Sequence, residues 1–295
     1  MKKLTIATAQ YGLADILTQE QFWTGISAKI REAAESGAAM IIFPEYMTAH
    51  LLSVVPSMLH DDACHFLDQL TDEYVRFFTE HSRESNIAIL AGTHICKEGE
   101  EEGEYANKAF LFFPDGRIET QCKVHLTPEE QIRWPLIAGD ELNVFDTEWG
   151  KMAILTCYDI EFPELARAAA LRGVELILCP SYTDSAYGYY RVRHCCQARA
   201  IENQLFVALS GLVGSLSEDR PQVDTGYCQA GVFTPCDLPF EADGILRVGE
   251  VNEDMTVLSV IDFHRLRENR ERGAVAPFYD RRPDVYEHEH GKTQV

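Results

Sequence analysis

Three segments of the sequence each place a chemically reactive side chain at the end of a predicted strand. Glu45 comes after the apolar run Ala39–Phe43, Lys123 ends a predicted β-hairpin, and Cys157 comes after another short apolar run. The ends of strands lie at the rim of a sheet, where the sites of α/β proteins collect. A carboxylate, an ammonium and a thiol at one rim would supply a proton acceptor, a positive charge and a nucleophile.

Cys157 gives the strongest of these signals, because the other two residue types are common on ordinary protein surfaces. Acidic residues are favourable at the start of a helix, and most cysteines are small buried hydrophobic residues. Cys157, however, lies where a strand ends and before the helix predicted from Pro163. A nucleophile on such a strand–turn–helix elbow is held at the sheet edge near backbone N–H groups.

Strands and helices alternate along the chain, with hairpins at Asp115-Gly116 and Glu148-Trp149-Gly150. This mixture predicts mixed sheets covered by helices. No linker divides the sequence, so we expect one domain over residues 1–295, with a charged C-terminal segment from about 264. The main predicted strands are Leu4–Ala9, Ala39–Phe43, Ile87–Thr93, Met152–Thr156, Val174–Cys179, Leu205–Ser210, Gly226–Phe233, Ile245–Val251 and Thr256–Ile261, and the predicted helices are Gln19–Ser36, Leu67–Ser82, Pro163–Arg172 and Tyr189–Asn203.

Two connecting segments have a distinctive composition. Glu98–Glu104 carries five Glu and two Gly, which predicts a solvated hairpin loop because clustered like charges resist burial. The segment Met47–Met58 is rich in Leu and Val, which leaves two interpretations open, an apolar lid or a contact with another subunit.

The residues around the three reactive positions resemble the motifs of the nitrilase superfamily, the carbon–nitrogen hydrolases. Glu45 lies in Phe-Pro-Glu, Lys123 in Lys-Val-His-Leu, and Cys157 in Cys-Tyr-Asp-Ile-Glu-Phe-Pro-Glu. Their order, with spacings of 78 and 34 residues, is similar to that of the family's Glu-Lys-Cys triad. Shorter matches at Ala7-Thr8-Ala9-Gln10, Cys179-Pro180-Ser181 and Arg199–Asn203 extend the resemblance over roughly residues 4–290.

The resemblance implies an α-β-β-α sandwich of two mixed sheets flanked by helices, and homo-oligomers that begin with a dimer. It also implies a thiol-dependent amidohydrolase, which cleaves a non-peptide C–N bond of a small linear amide and releases a carboxylate and ammonia or an amine. In such a mechanism Glu45 accepts the thiol proton and Cys157 forms a thioester. The Lys123 ammonium and, by analogy, the Tyr158 N–H hold the oxyanion.

A second active-site glutamate follows the lysine in many proteins of this family. Glu130 is seven residues past Lys123, which fits the amidase-like spacing, and Glu129 is the alternative. Tyr46 and Tyr182 follow motif strands and are candidates to line the substrate pocket, although ordinary packing would place tyrosines there equally well.

Other functions stay open from the sequence. A true nitrilase would convert a nitrile to an acid, but such enzymes tend to carry Trp after the nucleophile, where this chain has Tyr158. An N-carbamoyl amide is another possible substrate. From a different class, the chain could be a catalytically silent binding or scaffold protein, which the presence of all three triad residues argues against.

Composition argues against several partners and favours one compartment. The 295 residues include 26 Lys and Arg against 47 Asp and Glu, which gives a net charge of −21. This charge argues against nucleic acid and anionic membrane surfaces as partners, and no apolar run is long enough for a membrane helix. The N-terminus is typical of a first strand rather than a secretory signal, which favours the cytoplasm.

The sequence also predicts no cofactor and no metal. No Gly-rich phosphate loop is present, so nothing indicates a nucleotide. The nine cysteines include no Cys-x-x-Cys pair. His194, Cys195 and Cys196 are consecutive on a predicted helix, where they point in different directions and cannot form a common ligand face. His125 is expected to be a hydrogen-bonded structural residue, with a Cys–His dyad as the alternative.

Overall fold

The computed structural model describes residues 3–99 and 103–286, which contain thirteen strands and seven α-helices. The strands are β1 (Lys3–Leu13), β2 (Met40–Ile42), β3 (Ala88–Lys97), β4 (Tyr105–Phe112), β5 (Ile118–Cys122), β6 (Phe145–Asp146), β7 (Lys151–Ile154), β8 (Leu176–Ser181), β9 (Phe206–Ser215), β10 (Thr225–Gly226), β11 (Gly231–Phe233), β12 (Ile245–Val248) and β13 (Met255–Asp262). The helices are α1 (Gln19–Glu35), α2 (His60–Asp68), α3 (Thr71–Ser85), α4 (Pro128–Arg133), α5 (Pro163–Leu171), α6 (Ala186–Asn203) and α7 (Phe263–Arg272), with 3₁₀ helices at Met47–Val54 and Cys157–Glu161.

The long strand β1 joins the two halves of the sheet. Its first part pairs in parallel with β2 around Ile6–Thr8, and its last part pairs in parallel with β9 around Gln10–Leu13. The strand order is β5-β4-β3-β2-β1-β9-β8-β7-β6, parallel from β3 to β7 and antiparallel at both ends. The carboxyl ends of β2, β7 and β8 therefore open at corresponding edges of the two halves.

Three hydrophobic clusters show how the layers are stacked. Alternate residues of one strand face opposite sides, and in β1 the side chains of Leu4 and Ile6 pack in a central cluster with residues of β8 and β9. Ala7 and Ala9 face the other way, toward a cluster that contains Ile26 of α1. A third cluster joins β7–β9 to α5 and α6. The predicted fold class, mixed sheets flanked by helices in α-β-β-α order, is confirmed.

Several predicted elements have different boundaries in the structure. The helix predicted over Leu67–Ser82 is interrupted in the structure. Leu67 and Asp68 belong to the end of α2, the chain turns at Gln69, and α3 begins at Thr71 with acidic residues in its first turn. The strand predicted over Gly226–Phe233 is split into β10 and β11. The N–H groups of Cys228 and Ala230, between them, bond to the side chains of Asn252 and Gln10 instead of to a neighbouring strand.

The apolar segment after Glu45 is part of the core. Leu51 and Leu52 lie on the 3₁₀ helix Met47–Val54 and are buried among residues of α1 and α3, so these two side chains do not form a lid. Residues 100–102 of the acidic loop lie outside the described residues, and the strands on either side of it, β3 and β4, pair antiparallel as a hairpin requires.

The charged C-terminal segment begins with α7, which packs on the body of the molecule. Phe263 and Leu266 of α7 are buried in the central cluster, and the Arg267 guanidinium pairs with Glu175 at 3.0 Å. All nine cysteines are free thiols. In the part of the chain that the structure describes, no helix has the length and apolar character needed to cross a membrane.

Candidate active site

Cys157 lies on a strained elbow between β7 and the helix α5. Its φ of 48° is in the left-handed region, which is rare for a residue with a side chain and is often found at functional sites. The next residues form a single 3₁₀ turn, whose Ile160 and Glu161 carbonyls accept hydrogen bonds from the buried Arg199 guanidinium at 3.0 and 2.9 Å. Arg199, from the motif at the end of α6, thus holds the elbow in place.

Glu45 comes after β2 at a point where two chain segments approach closely. The N–H of Tyr46 donates to the Thr93 hydroxyl at 2.9 Å. Gly92 has a φ of 66°, and a Cβ there would lie 1.9 Å from the Pro44 carbonyl oxygen. Only glycine allows this approach, and the result is that Glu45 is held at the carboxyl end of its strand.

Lys123 is the first residue after β5. Its N–H donates to the Asn107 carbonyl at 2.9 Å, and the side chain is almost fully buried. The N–H groups of Val124 and His125 donate to the buried Asp159 carboxylate at 3.3 and 2.7 Å. Because Asp159 belongs to the 3₁₀ turn of Cys157, it ties the lysine loop to the elbow.

The Lys123 ammonium lies between two buried carboxylates. Its Nζ is 2.8 Å from Glu45 Oε1 and 2.8 Å from Glu130 Oε2. Glu130 also accepts a bond from the Tyr46 hydroxyl at 2.6 Å. Glu129, by contrast, is exposed and lies 3.6 Å from the Arg133 guanidinium. The structure therefore brings Glu130, and not Glu129, to the lysine.

The pKa values of the two buried carboxylates are shifted in opposite directions. Burial would raise the pKa of Glu130, but the Lys123 charge and hydrogen bonds from Lys123, Tyr46 and the Thr127 N–H outweigh it, so this pKa is lowered. Burial raises the pKa of Glu45, and the neighbouring Glu130 charge adds to that rise against the effect of Lys123. Two titratable groups with pKa values pushed apart are typical of acid–base sites, and Glu45 is the better proton acceptor.

The peptide backbone of Tyr182 connects the thiol with Glu45. The Cys157 thiol donates to the Tyr182 carbonyl at 3.3 Å, and the Tyr182 N–H donates to Glu45 Oε2 at 3.0 Å. Burial and the Glu45 charge raise the pKa of the Cys157 thiol well above its usual range. The resting thiol is therefore neutral, and a base must remove its proton before it can act as a nucleophile.

Asn107 on β4 is part of this cluster and was not identified from the sequence. Its side-chain amide donates to Glu45 Oε1 at 2.9 Å and to Glu130 Oε1 at 3.1 Å, and the residue is buried. The hairpin predicted around Asp115-Gly116 does not extend back to Asn107. No local pattern in the sequence indicates this role, because it depends on the burial of Asn107 and on its contacts with Glu45 and Glu130.

A cavity of about 520 Å³ brings all eight predicted site residues together. They are Glu45, Tyr46, Lys123, Glu129, Glu130, Cys157, Tyr158 and Tyr182. Trp134, which the sequence analysis missed, is another wall, with its ring centre 5.2 Å from that of Tyr46.

The histidines and cysteines outside this cavity have structural surroundings. His125 Nδ1 is 2.9 Å from Asp159 Oδ1, and the ring stacks on Phe162 at 3.7 Å between centroids. Cys196 is buried in the cluster between α6 and the sheet, and His194 stacks against Tyr190. Among residues 3–99 and 103–286, no three His, Cys, Asp or Glu side chains are grouped as metal ligands would be.

Comparison with known proteins agrees with the resemblance seen in the sequence. A family model described as carbon-nitrogen hydrolase matches residues 5–235. The chain is 40% identical over 281 residues to the probable hydrolase YhcX of Bacillus subtilis, covering 95% of this chain and 54% of that protein. It thus spans about half the length of that relative. It is also 26% identical over 266 residues to the omega-amidase NIT2 of Homo sapiens, covering 87% of this chain and 88% of that one.

Solved structures show the same fold. A variant of an amidase of the nitrilase superfamily from Nesterenkonia AN1 superposes with a TM-score of 0.74 at 21% identity, covering 97% of this chain and 96% of that one. Nit3 of Saccharomyces cerevisiae, from branch 10 of the nitrilase superfamily, gives a TM-score of 0.74 at 20% identity, covering 92% and 94%.

Proposed function

Because this chain belongs to the carbon–nitrogen hydrolase family, we propose that it is an amidase-like member that hydrolyses a small linear amide through a thioester on Cys157. The observation that carries the proposal is the cavity in which the Cys157 thiol, the Lys123 ammonium and the Glu45 carboxyl meet. These three groups supply the nucleophile, the positive charge and the proton acceptor that amide hydrolysis requires.

Acylation begins with proton transfer from the Cys157 thiol to the Glu45 carboxylate. The sulfur attacks the amide carbon, and the negative charge that develops on the amide oxygen is held by the Lys123 ammonium and the Tyr158 N–H. Burial alone would lower the pKa of Lys123, but the Glu45 and Glu130 charges raise it, so the ammonium stays protonated throughout. Glu45 then gives its proton to the leaving nitrogen, the C–N bond breaks, and an acyl thioester remains.

Deacylation uses the same groups in reverse. Glu45, again a carboxylate, removes a proton from a water molecule, and the hydroxide attacks the thioester carbon. The carboxylic acid leaves when the C–S bond breaks, and the proton on Glu45 returns to the sulfur. The raised pKa of Glu45 suits a group that must both accept and release a proton near neutral pH.

The test is ammonia release from a panel of linear amides, N-carbamoyl compounds and nitriles, with Cys157→Ala beside the wild type. We expect release from one or more amides that the variant does not catalyse. Release from nitriles alone would replace the amidase proposal with a nitrilase function. A purified protein that releases ammonia from none of the three classes would favour a binding role instead.

Replacing Glu130 is expected to move the acid side of the pH–rate profile. Glu45 must be deprotonated to act, so kcat/KM falls as pH drops through its pKa. Glu130→Gln removes the neighbouring negative charge, which lowers the pKa of Glu45 and shifts the fall in kcat/KM to lower pH. We expect kcat/KM at the optimum to drop about tenfold or more, because Lys123 also loses a partner that positions it. The exposed Glu129, changed to Gln, should leave the position of the acid limb in place, and a Glu130→Gln profile that moves to higher pH would contradict this assignment.

Replacing Asn107 is expected to have the opposite effect on the same profile. Asn107→Leu keeps the approximate volume but removes a hydrogen bond from each carboxylate. Loss of a donor to an ionised carboxylate raises its pKa, so the acid limb should move to higher pH, with kcat/KM about tenfold lower since a charged hydrogen bond contributes roughly 1.5–3 kcal/mol. Asn107→Leu and Glu130→Gln profiles that shift in the same direction would show that Asn107 does not act through the Glu45 carboxylate.

A further inference from the structure

We propose that the cavity selects linear amides whose far end carries a positive charge, such as a primary ammonium group. This inference rests on the amidohydrolase function proposed above and adds the substrate class to it. Three observations carry it, namely the charges at the cavity mouth, the partners of the mouth's two arginines, and the aromatic side chains that line the same cavity as Cys157.

Carboxylates outnumber cations around the mouth of the cavity. Apart from Glu45, Glu130 and Lys123, the charged side chains that line it are four acids and two arginines. The acids are Glu129, Glu161, Asp184 and Asp224, and the arginines are Arg191 and Arg220. A cleft lined mainly by one sign of charge concentrates ligands of the opposite sign.

Both arginines already have partners in the structure. The Arg220 guanidinium is mostly buried and donates to the Val55 and Ser53 carbonyls at 2.9 and 3.2 Å, with Glu218 as a further partner at 3.4 Å. The Arg191 Nε donates to the Glu161 carboxylate at 3.4 Å, so those two charges offset each other.

Glu129 is paired with the Arg133 guanidinium at 3.6 Å, whereas Asp184 and Asp224 have no ion-pair partner within the described residues. Asp184 is exposed and makes no hydrogen bond or ion pair within the described residues. Among residues 3–99 and 103–286, the Asp224 carboxylate accepts a hydrogen bond only from the backbone N–H of Arg220, at 3.0 Å. Burial raises the pKa of the Tyr182 hydroxyl, and the charges of Asp224, Asp184 and Glu129 add to that rise. The negative charge of the mouth therefore acts on the Tyr182 side chain, which lines the same cavity as the thiol.

Aromatic rings line the same cavity as the reactive groups. The ring of Tyr46 lies 5.2 Å from that of Trp134 and 6.1 Å from that of Tyr182, measured between centroids. Aromatic faces attract an ammonium group and pack against a methylene chain. Aromatic faces do not attract a carboxylate in this way. The aromatic side chains and the acidic mouth therefore both favour a substrate with a positive charge at its far end.

The first test compares three amides of matched length that differ only in their far end. They are 5-aminopentanamide, which is cationic, hexanamide, which is neutral, and the monoamide of glutaric acid, which is anionic. At low salt we expect kcat/KM to fall about tenfold from the cationic to the neutral amide and about tenfold again to the anionic one, as charge steering of this kind allows. The differences should shrink as salt is added.

Asp184→Asn isolates the charge at the mouth. The variant should reduce kcat/KM for the cationic amide, leave kcat/KM for the neutral amide unchanged and raise kcat/KM for the anionic amide. The reduction should be only about threefold, because Asp184 is exposed and its charge is partly screened. Glu84→Gln, an exposed acid on α3 outside the cavity, is the matched control and should change none of the three rates. A preference for the anionic amide, or three equal rates, would overturn the inference.

A second measurement, the rate of alkylation of Cys157, tests the electrostatic potential at the thiol without requiring turnover. Cys157 is alkylated by 2-bromoethylamine, iodoacetamide or iodoacetate. Each reagent forms an S–C bond and releases a halide, while the thiol proton goes to solvent. The rate of modification of the Cys157 peptide is followed by mass spectrometry and divided by the rate with a small free thiol. The normalised rate should be highest for the cationic reagent and lowest for the anionic one. Asp184→Asn should reduce the differences between the three reagents. If the ranking holds but no amide is hydrolysed, the proposed function fails and the charge selection stands. If amides are hydrolysed without any ranking, only the charge selection fails.

Discussion

Cys157→Ala is expected to abolish turnover, with kcat falling about 10⁵-fold or more, because no other group in the cavity can form the acyl intermediate. The ion pairs of Lys123 with Glu45 and Glu130 do not include the Cys157 sulfur, so the variant should fold and keep its cavity. Ammonia release and circular dichroism, measured on the same preparation, separate a lost nucleophile from a lost fold. A variant that retained even one hundredth of the wild-type rate would rule out the thioester route.

The control for this prediction is Cys196→Ala, a substitution of another buried thiol. Cys196 packs with Cys157 in the cluster between α6 and the sheet but does not line the cavity. Cys196→Ala should keep the rate within about twofold of wild type, as expected for a small change away from the site. Hydroxylamine adds a positive test, because it attacks a thioester and yields a hydroxamate. We expect hydroxamate from the wild type and from Cys196→Ala, and none from Cys157→Ala.

The positions of Glu45 and Cys157 at strand ends were predictable from local sequence patterns. An apolar run followed by Pro44-Glu45, and a run followed by Cys157 and then a helix, each indicate a strand that ends at a sheet edge. The three-layer order of the fold required the family resemblance, since periodicity cannot tell how two halves of a sheet face one another. The hydrogen-bonded continuity of the sheet through β1 was not predictable, because it depends on pairing with the distant strand β9.

A local sequence pattern distinguishes Glu130 from Glu129 in addition to the spacing from Lys123. Thr127-Pro128-Glu129-Glu130 is a capping-box sequence, in which the Thr and the residue three positions later bond to each other's backbone. In α4 the Thr127 hydroxyl accepts from the Glu130 N–H at 3.2 Å, and the Glu130 carboxylate accepts from the Thr127 N–H at 2.7 Å. That geometry turns Glu130 back toward the lysine loop and leaves Glu129 outward. Asn107 and Trp134 lacked any such signal, because their roles arise only from contacts with residues far away in the sequence.

Lys123→Ala is expected to lower kcat/KM by at least about 10²–10³-fold, the usual loss when one oxyanion donor is removed. The same change should reduce the free energy of unfolding by about 3–5 kcal/mol at pH 8, because it leaves two buried carboxylates without their cation. Kinetics with the best amide and denaturant unfolding at several pH values measure the two effects. A Lys123→Ala enzyme with near-normal turnover would show that the ammonium does not stabilise the oxyanion.

The loss of stability should depend on pH in a definite direction. Without the ammonium, burial and mutual repulsion raise the pKa of Glu45 and Glu130 in the folded protein above their unfolded values. Groups with a raised pKa stabilise the folded state at low pH, and this contribution is lost as pH rises through the folded pKa. The gap in unfolding free energy between Lys123→Ala and the wild type should therefore be small near pH 5 and large near pH 8.

The double variant Lys123→Ala, Glu130→Gln separates the two roles of the ammonium. Removing one carboxylate relieves the repulsion, so much of the lost stability should return, while the missing oxyanion donor keeps kcat/KM low. Methylammonium in the buffer is small enough to occupy the space of the lost side chain, and it should restore part of the rate in Lys123→Ala. If the double variant instead recovered wild-type kcat/KM, the ammonium would serve only to keep two negative charges apart, and the oxyanion would have to be held by backbone N–H groups at the Cys157 elbow.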